Sequence, residues 1–386
     1  MGSPRITVLF GFFLSLLTPL SLPHAAEADD AAHPAGRDRV IVTDAAAVTD
    51  PVYIGWDRAC VVHRYSPAEG KWSSWKGPRA FVPRAAIPVV GPHAAAVLDS
   101  AGSYDGWLFD LHAKTWSAIP ASPFKRKGGI MDPVTAAFVA GDLVVWGLIA
   151  GDVQGAVLDT RAMKWRPMAA APMVPRYRAA AAVAGSKLMI WGGYGPLGPR
   201  RIGPLEDGAV YDASTDTWLK MPPPPTPGHR YGCSAMTSKG RFILFGVAKG
   251  GGPAAEGMVF DPATGKWDTI AAPPVEVGVQ SACAADDERL FVWSGRGAAG
   301  GPEASAAGAV YDFRTRKWTR LPEAPIVPRV LASARIHGRA VTVWGGWEEG
   351  PTVFLMDGAT YELGAGAWTE IAPPPGDVPP EMHPGW

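Results

Sequence analysis

The chain has 386 residues, 47% of them hydrophobic and 19% charged, and its 36 basic and 36 acidic side chains cancel. So large an apolar fraction excludes a disordered chain, and a zero net charge leaves no global field to draw it to nucleic acid or an anionic surface. Glycine (46), proline (39) and tryptophan (16) are all abundant, which favours short strands joined by tight turns.

In chain order, the first segment reads as a targeting signal. Arg5 is a small positive flank, the run from Ile6 to Leu22 is nearly all apolar, and Ala26-Glu27-Ala28 offers a small-residue cleavage site. Residues 1–28 are therefore expected to be removed, giving a periplasmic or secreted protein that begins near Asp29. An uncleaved anchor is the competing reading, but the run is short, contains Pro19 and lacks a basic stop-transfer cluster. No later stretch is long and apolar enough to span a bilayer. Cys60, Cys233 and Cys283 make an odd set for an exported chain. A Cys233–Cys283 bridge between adjacent inner strands and simple burial of small residues are both open, and no Cys/His spacing supports a metal site.

Residues 29–38 form a polar lead-in, and Arg39 to Thr43 with Val52 to Gly55 supply the first apolar strands. A repeat then fills residues 39–375, ahead of a short tail at 376–386. Its clearest copy is DGAVYDASTDTW, from Asp207 to Trp218. Aligned on the last residue, the copies close at Trp72, Trp116, Trp165, Trp218, Trp267, Trp318 and Trp368. A period of about fifty residues carried by strands and turns marks a propeller or an array. The representative repeat parses into four strands: Arg178 to Val183, Lys187 to Trp191, Gly208 to Asp212, and one from Trp218 that ends in the run Pro222 to Pro225, where a residue without an N–H closes the edge. The first strands are rich in alanine, as at Ala282 to Ala285, which suits crowding around an axis. The second repeat is the shortest, which predicts an irregular sheet.

Glycine stands ten residues before the closing tryptophan at positions 106, 155, 208, 257, 308 and 358, where a strand starts beside a bulky neighbour. Six residues before it stands Asp110, Asp159, Asp212, Asp261 or Asp312, expected to head a tight turn by accepting backbone N–H groups rather than to act as a catalytic acid.

With WGG at 191–193 and 344–346 and YD at 211–212 and 311–312, the chain resembles the kelch family of β-propellers over nearly all of its length after the signal. The resemblance implies an all-β, seven-bladed propeller with four antiparallel strands per blade. The glycine doublet departs to Gly-Leu at 147–148, Gly-Val at 246–247 and Ser-Gly at 294–295. Family members serve as protein-binding modules, sugar-binding proteins and enzymes. Copper radical oxidases share the propeller, but their adjacent Tyr-His pair is missing from this sequence, so no copper or other cofactor is expected.

In such a blade the link entering the first strand and the loop from second to third strand leave on one side. The latter loops are long at 192–206, 247–255, 295–305 and 345–356, which points to that face as the functional one. Arg84, Arg126, Arg176, Arg230 and Arg329 follow five closing tryptophans by ten to twelve residues and collect at the same face. Five guanidinium groups there would bind a carboxylate or another oxyanion, joined by Arg200, Arg201 and Arg296, with Tyr194 and Trp347 as stacking surfaces and Glu348 and Glu349 beside them. As repeat features, the five arginines also suit packing between blades against carboxylates or carbonyls of the next blade.

No G-x-S-x-G, H-E-x-x-H or phosphate-loop pattern occurs. The expected function is an exported recognition module that binds a protein or carbohydrate ligand, such as an acidic sugar or peptide, on the loop face. A sugar epimerase or mutarotase of the sialic-acid type, with Glu348 or Glu349 paired to His337 or His229, and a structural envelope scaffold are the alternatives.

Overall fold

The computed structural model describes residues 5–7, 52–56, 60–67, 69–78, 86–99, 104–124, 134–149, 152–176, 179–198, 201–225, 234–247, 256–277, 280–295, 305–348, 353–355 and 357–374. Among these the chain is all-β, built from antiparallel sheets that follow one another along the sequence. No helix is long and apolar enough to cross a membrane.

The first sheet has three strands, Val52–Trp56, Cys60–Ser66 and Lys71–Lys76. The expected strand at 39–43 lies outside the described residues. Six four-stranded sheets follow, each a meander in which consecutive strands pair. In the fourth sheet the strands are Ala180–Ala184, Lys187–Trp191, Gly208–Asp212 and Thr217–Lys220, close to the parse read from the sequence. The short second repeat also makes four strands, Ala86–Val90, Ala94–Asp99, Gly106–Asp110 and Thr115–Ile119, so the expected irregularity does not arise. Its shortening falls in the connection between the second and third strands.

First strands of successive sheets approach one another, which puts the alanine-rich strands innermost. The second strands form the core of each sheet. They bury Trp146, Trp191, Phe245, Trp293 and Trp344 at or near their ends, with 0–1% of each exposed. Each of these aromatic rings meets the closing tryptophan of the next sheet: Trp146–Trp218 at 5.9 Å, Trp191–Trp267 at 5.1 Å, Phe245–Trp318 at 6.0 Å and Trp293–Trp368 at 6.4 Å between centroids. The same indole donates its N–H to a carbonyl just past the previous sheet's last strand. Trp165 Nε1 donates to Pro120, Trp218 to Ala169, Trp267 to Pro222, Trp318 to Ala271 and Trp368 to Pro322, at 2.7–3.0 Å. The first and last sheets meet in the same way, with Trp72 Nε1 donating to the Ala372 carbonyl at 2.8 Å and its ring 4.7 Å from that of Trp344.

The repeated glycine makes this packing possible. A Cβ at Gly208 would lie 2.4 Å from the Ile190 carbonyl oxygen and 2.6 Å from the Trp191 ring. Gly358 stands the same way against the Val343 carbonyl oxygen and Trp344. The repeated aspartates head their turns as expected: Asp110 accepts from His112 and Ala113, Asp159 from Arg161 and Ala162, and Asp212 from Ser214. Asp212 also pairs with Lys187. That ammonium, followed by the Ser214 hydroxyl, holds the Asp212 carboxyl well below its ordinary value of 3.8. Beneath the closing Trp218, burial and then the bond to Asp216 push the Tyr211 phenol up to about 12.

Two predictions follow from the seam and the turn. Trp218→Phe keeps the ring but loses the donor, so chemical denaturation should read a loss of about 1 kcal/mol, against about 3–5 kcal/mol for Trp218→Ala. A depressed carboxyl stabilises the fold at pH above its unfolded value and stops doing so as pH falls through its folded value. Asp212→Asn should therefore lower Tm by about 2 °C near neutrality, with the gap to the parent closing in acid melts toward pH ~2.

Candidate functional site

The end of the molecule where second strands finish carries the long loops, and two of these loops are built alike. In the fourth sheet the loop is a hairpin of Tyr194–Gly198 against Arg201–Pro204. In the seventh sheet Trp347–Glu348 pairs with Val353–Leu355. Both hairpins leave the sheet through the glycine doublet, Gly192-Gly193 and Gly345-Gly346, whose φ values of 64°, 82°, 65° and 94° are left-handed and favour glycine. Gly192 N–H donates to the Asp207 carbonyl and Leu205 N–H to the Gly193 carbonyl; Gly345 with Asp357 and Leu355 with Gly346 repeat both bonds.

An arginine locks each neck. Arg176 Nη1 donates to the carbonyls of Gly192 at 3.1 Å and Asp207 at 2.9 Å, and lies 2.8 Å from the Asp207 carboxylate. Arg329 Nη1 donates to the carbonyls of Gly345 at 3.1 Å and Asp357 at 3.3 Å, and its two terminal nitrogens span the Asp357 carboxylate at 2.6 and 3.4 Å. Their Nε groups turn back to the carbonyls of Val174 and Val327. Both side chains are fully buried. The expectation of Arg176 and Arg329 as ligand arms is thus corrected. Their guanidinium groups face inward, each within the sheet that it leads into, where two carbonyls converge from the strands on either side of a hairpin neck and need a buried donor.

The partner of these arginines escaped sequence reasoning, although a signal exists. The residue before the repeated glycine is Asp105, Asp207, Glu256 or Asp357 in four arginine-bearing repeats and Gln154 in the fifth. It is Ala307 in the sixth, a repeat that lacks the arginine. There Ser294 takes the first doublet position and donates its N–H to the Ala307 carbonyl, while its hydroxyl bonds to the backbone of Arg329 at 2.9 Å.

The other expected residues divide plainly. Arg84, Arg126, Arg200, Arg230, Arg296, His229 and Glu349 lie outside the described residues, as does Cys233. Cys283 Sγ sits 3.4 Å from the Ser281 hydroxyl. Tyr194 is half-buried at the base of the fourth-sheet hairpin, opposite Pro204, and Arg201 is exposed near its tip. Trp347 and Glu348 are placed on the seventh-sheet hairpin opposite Phe354 and Val353. His337 is not with them. It ends the first strand of its sheet, at the far end, where Nε2 meets the Thr342 hydroxyl at 2.6 Å. Four residues of strand, ~13 Å, separate that end from Ser333 at the loop end, so His337 and Glu348 do not form an acid/base pair. Among the described residues no group of three or more His, Cys, Asp or Glu side chains could hold a metal ion.

The loop face is instead marked by apolar exposure. Of the five exposed large hydrophobic side chains among the described residues, Val174 (41%), Leu197 (46%), Ile202 (65%) and Leu331 (55%) lie in its hairpin or in the links that enter the first strands, and Leu219 alone lies on an outer strand. The fourth-sheet hairpin that carries two of them is packed at its base. A Cβ at Gly195 would lie 2.4 Å from the Pro175 carbonyl oxygen and 3.5 Å from the Arg176 Cα.

No protein-family model matches the chain, and no curated protein is significantly similar to it.

Breaking a buried ion pair leaves one charge without a partner. Arg329→Ala should therefore cost about 3–5 kcal/mol in urea unfolding, whereas exposed Arg201→Ala should stay within about 0.5 kcal/mol of the parent.

Proposed function

We propose that this chain is an exported, seven-bladed propeller of the kelch type whose loop face recognises a protein partner. The observation that carries the proposal is the exposure of Leu197 and Ile202 on a hairpin with an anchored base, with Val174 and Leu331 exposed in the links at the same end of their sheets. Exposed apolar side chains collected on a rigid projection favour an apolar contact with another macromolecule. The inward commitment of Arg176 and Arg329 argues in the same direction, since it takes two of the five repeat arginines away from a site for acidic sugars. The count of seven sheets and the Trp72 bond to Ala372 support a ring closed by the same seam that joins its neighbours. Export rests on the apolar segment that precedes the small-residue cleavage site.

The test is site-specific photocrosslinking in the producing cell. A photoreactive residue at position 202 should give a discrete higher-mass adduct, lost on adding Leu197→Asp, whereas the same residue at Leu219 on the outer strand should give none. Equal labelling at both positions, or no adduct at 202, would remove the protein-recognition reading and turn attention to small ligands.

A further inference from the structure

The two hairpins of the loop face share a neck but differ at their outer edges. On the fourth-sheet hairpin the edges are guarded. Pro196 and Pro204 remove two donors, the register shifts between Pro196 and Gly198, and the exposed Arg201 puts charge near the tip. These are the devices by which sheet edges avoid pairing with other chains. The outer strand of the seventh-sheet hairpin, Val353–Leu355, itself carries no proline and no charge and pairs without a register shift, although Glu348 stands opposite Val353 and Pro351 precedes the strand in sequence.

Its backbone groups can be assigned direction. Leu355 N–H donates inward to the Gly346 carbonyl at 2.9 Å, and Trp347 and Phe354 are the next opposed pair. Hydrogen-bonded and non-bonded pairs alternate along an antiparallel ladder, so Phe354 presents its N–H and C=O outward. The strand is also held in place. The Arg329 clasp fixes the neck, and a Cβ at Gly346 would meet the Val330 carbonyl oxygen and Ala332 within 2.9 Å. The edge is occupied here: Arg5–Thr7 lies antiparallel along it, with Ile6 opposite Phe354. That segment belongs to the apolar leader, which an exported chain loses, so the edge of the mature protein is vacant.

We propose that the Val353–Leu355 edge is a strand-addition site that takes an extended, proline-free segment of a partner polypeptide with an apolar β-branched residue opposite Phe354. The inference rests on the recognition reading of the loop face and assigns its mode of binding. Main-chain bonds at the edge supply affinity, and a proline-free extended segment is the form a ligand must take.

Every strand of the seven sheets lies between Val52 and Ile371, so a chain starting at Asp29 retains them all. A fluorescent peptide of residues 5–11, which contains Arg5–Thr7 and no proline, serves as the probe in an anisotropy titration of that chain. The peptide should bind. N-methylation at Ile6, whose N–H faces Phe354, should weaken binding about tenfold or more, while N-methylation at Thr7, which faces away, should change it by less than about threefold. Phe354→Pro removes the outward donor, together with the aromatic ring, while leaving the inward ladder bonds in place, and should abolish binding with little change in Tm; Phe354→Ala, which keeps the donor, should retain binding. No binding up to about 1 mM, a position-independent effect of N-methylation, or self-association through this edge that the peptide does not displace would overturn the proposal. The adduct at position 202 is a separate readout, so its persistence alongside a failed titration would refute strand addition and leave the recognition reading intact.

Discussion

The seam between neighbouring sheets is the constraint from which the rest of this structure follows. An indole combines a large apolar surface with a single N–H, and both are used at one place. The ring covers the buried aromatic residue of the preceding sheet, and the N–H meets a carbonyl where that sheet's last strand has run out of ladder partners. Such a contact fixes distance and rotation together, so repeating it lays down successive sheets at a constant offset. Trp72 makes it with the last sheet across 300 residues of sequence, which ties the two ends of the array to each other.

The seam also explains the small residues that accompany it. The third strand must pass over the second-strand aromatic ring at a distance that excludes a Cβ, hence the glycine at 208 or 358. The turn that returns the chain to the tryptophan closes on a carboxylate, whose two oxygens take the N–H groups that the turn leaves over. These duties fall on the outer half of each sheet and on the turns remote from the loop face. They leave the loop between second and third strands free to vary, and the departures from the repeat are found there.

Where that loop becomes a hairpin, its neck poses a separate problem. Two left-handed glycines turn the chain out of the sheet and leave carbonyls converging inside, away from water. A buried arginine, with Asp207 or Asp357 to balance its charge, answers both the hydrogen bonds and the charge at once. The clasp stiffens the loop face, because it anchors the necks of both hairpins. In the sixth sheet the arginine, the acid and the first glycine of the doublet are all replaced, and Ser294 ties the neck to the neighbouring backbone instead.

Strand boundaries, the all-β class and the roles of the repeated glycine and aspartate were legible in the sequence, since each rests on a local rule: alternation along a strand, the space beside a ring, or the donors left over in a turn. Lys187–Trp191 and Gly208–Asp212 lie where the pattern of residues places them. The arginines were legible in position but not in direction, because a guanidinium at a strand entrance can point outward to a ligand or inward to a neck. That choice depends on where Asp207, Asp357 and two carbonyls arrive from residues 16 to 31 positions away. Likewise His337 and Glu348 are near in sequence but stand at opposite ends of one sheet, since an antiparallel meander sends close neighbours in the chain to different faces of the molecule. By itself the sequence determined the repeat and its strands, through interactions within a few residues; only the tertiary structure decided which charged side chains were spent on holding the fold together, because that depends on groups brought together across the sheet.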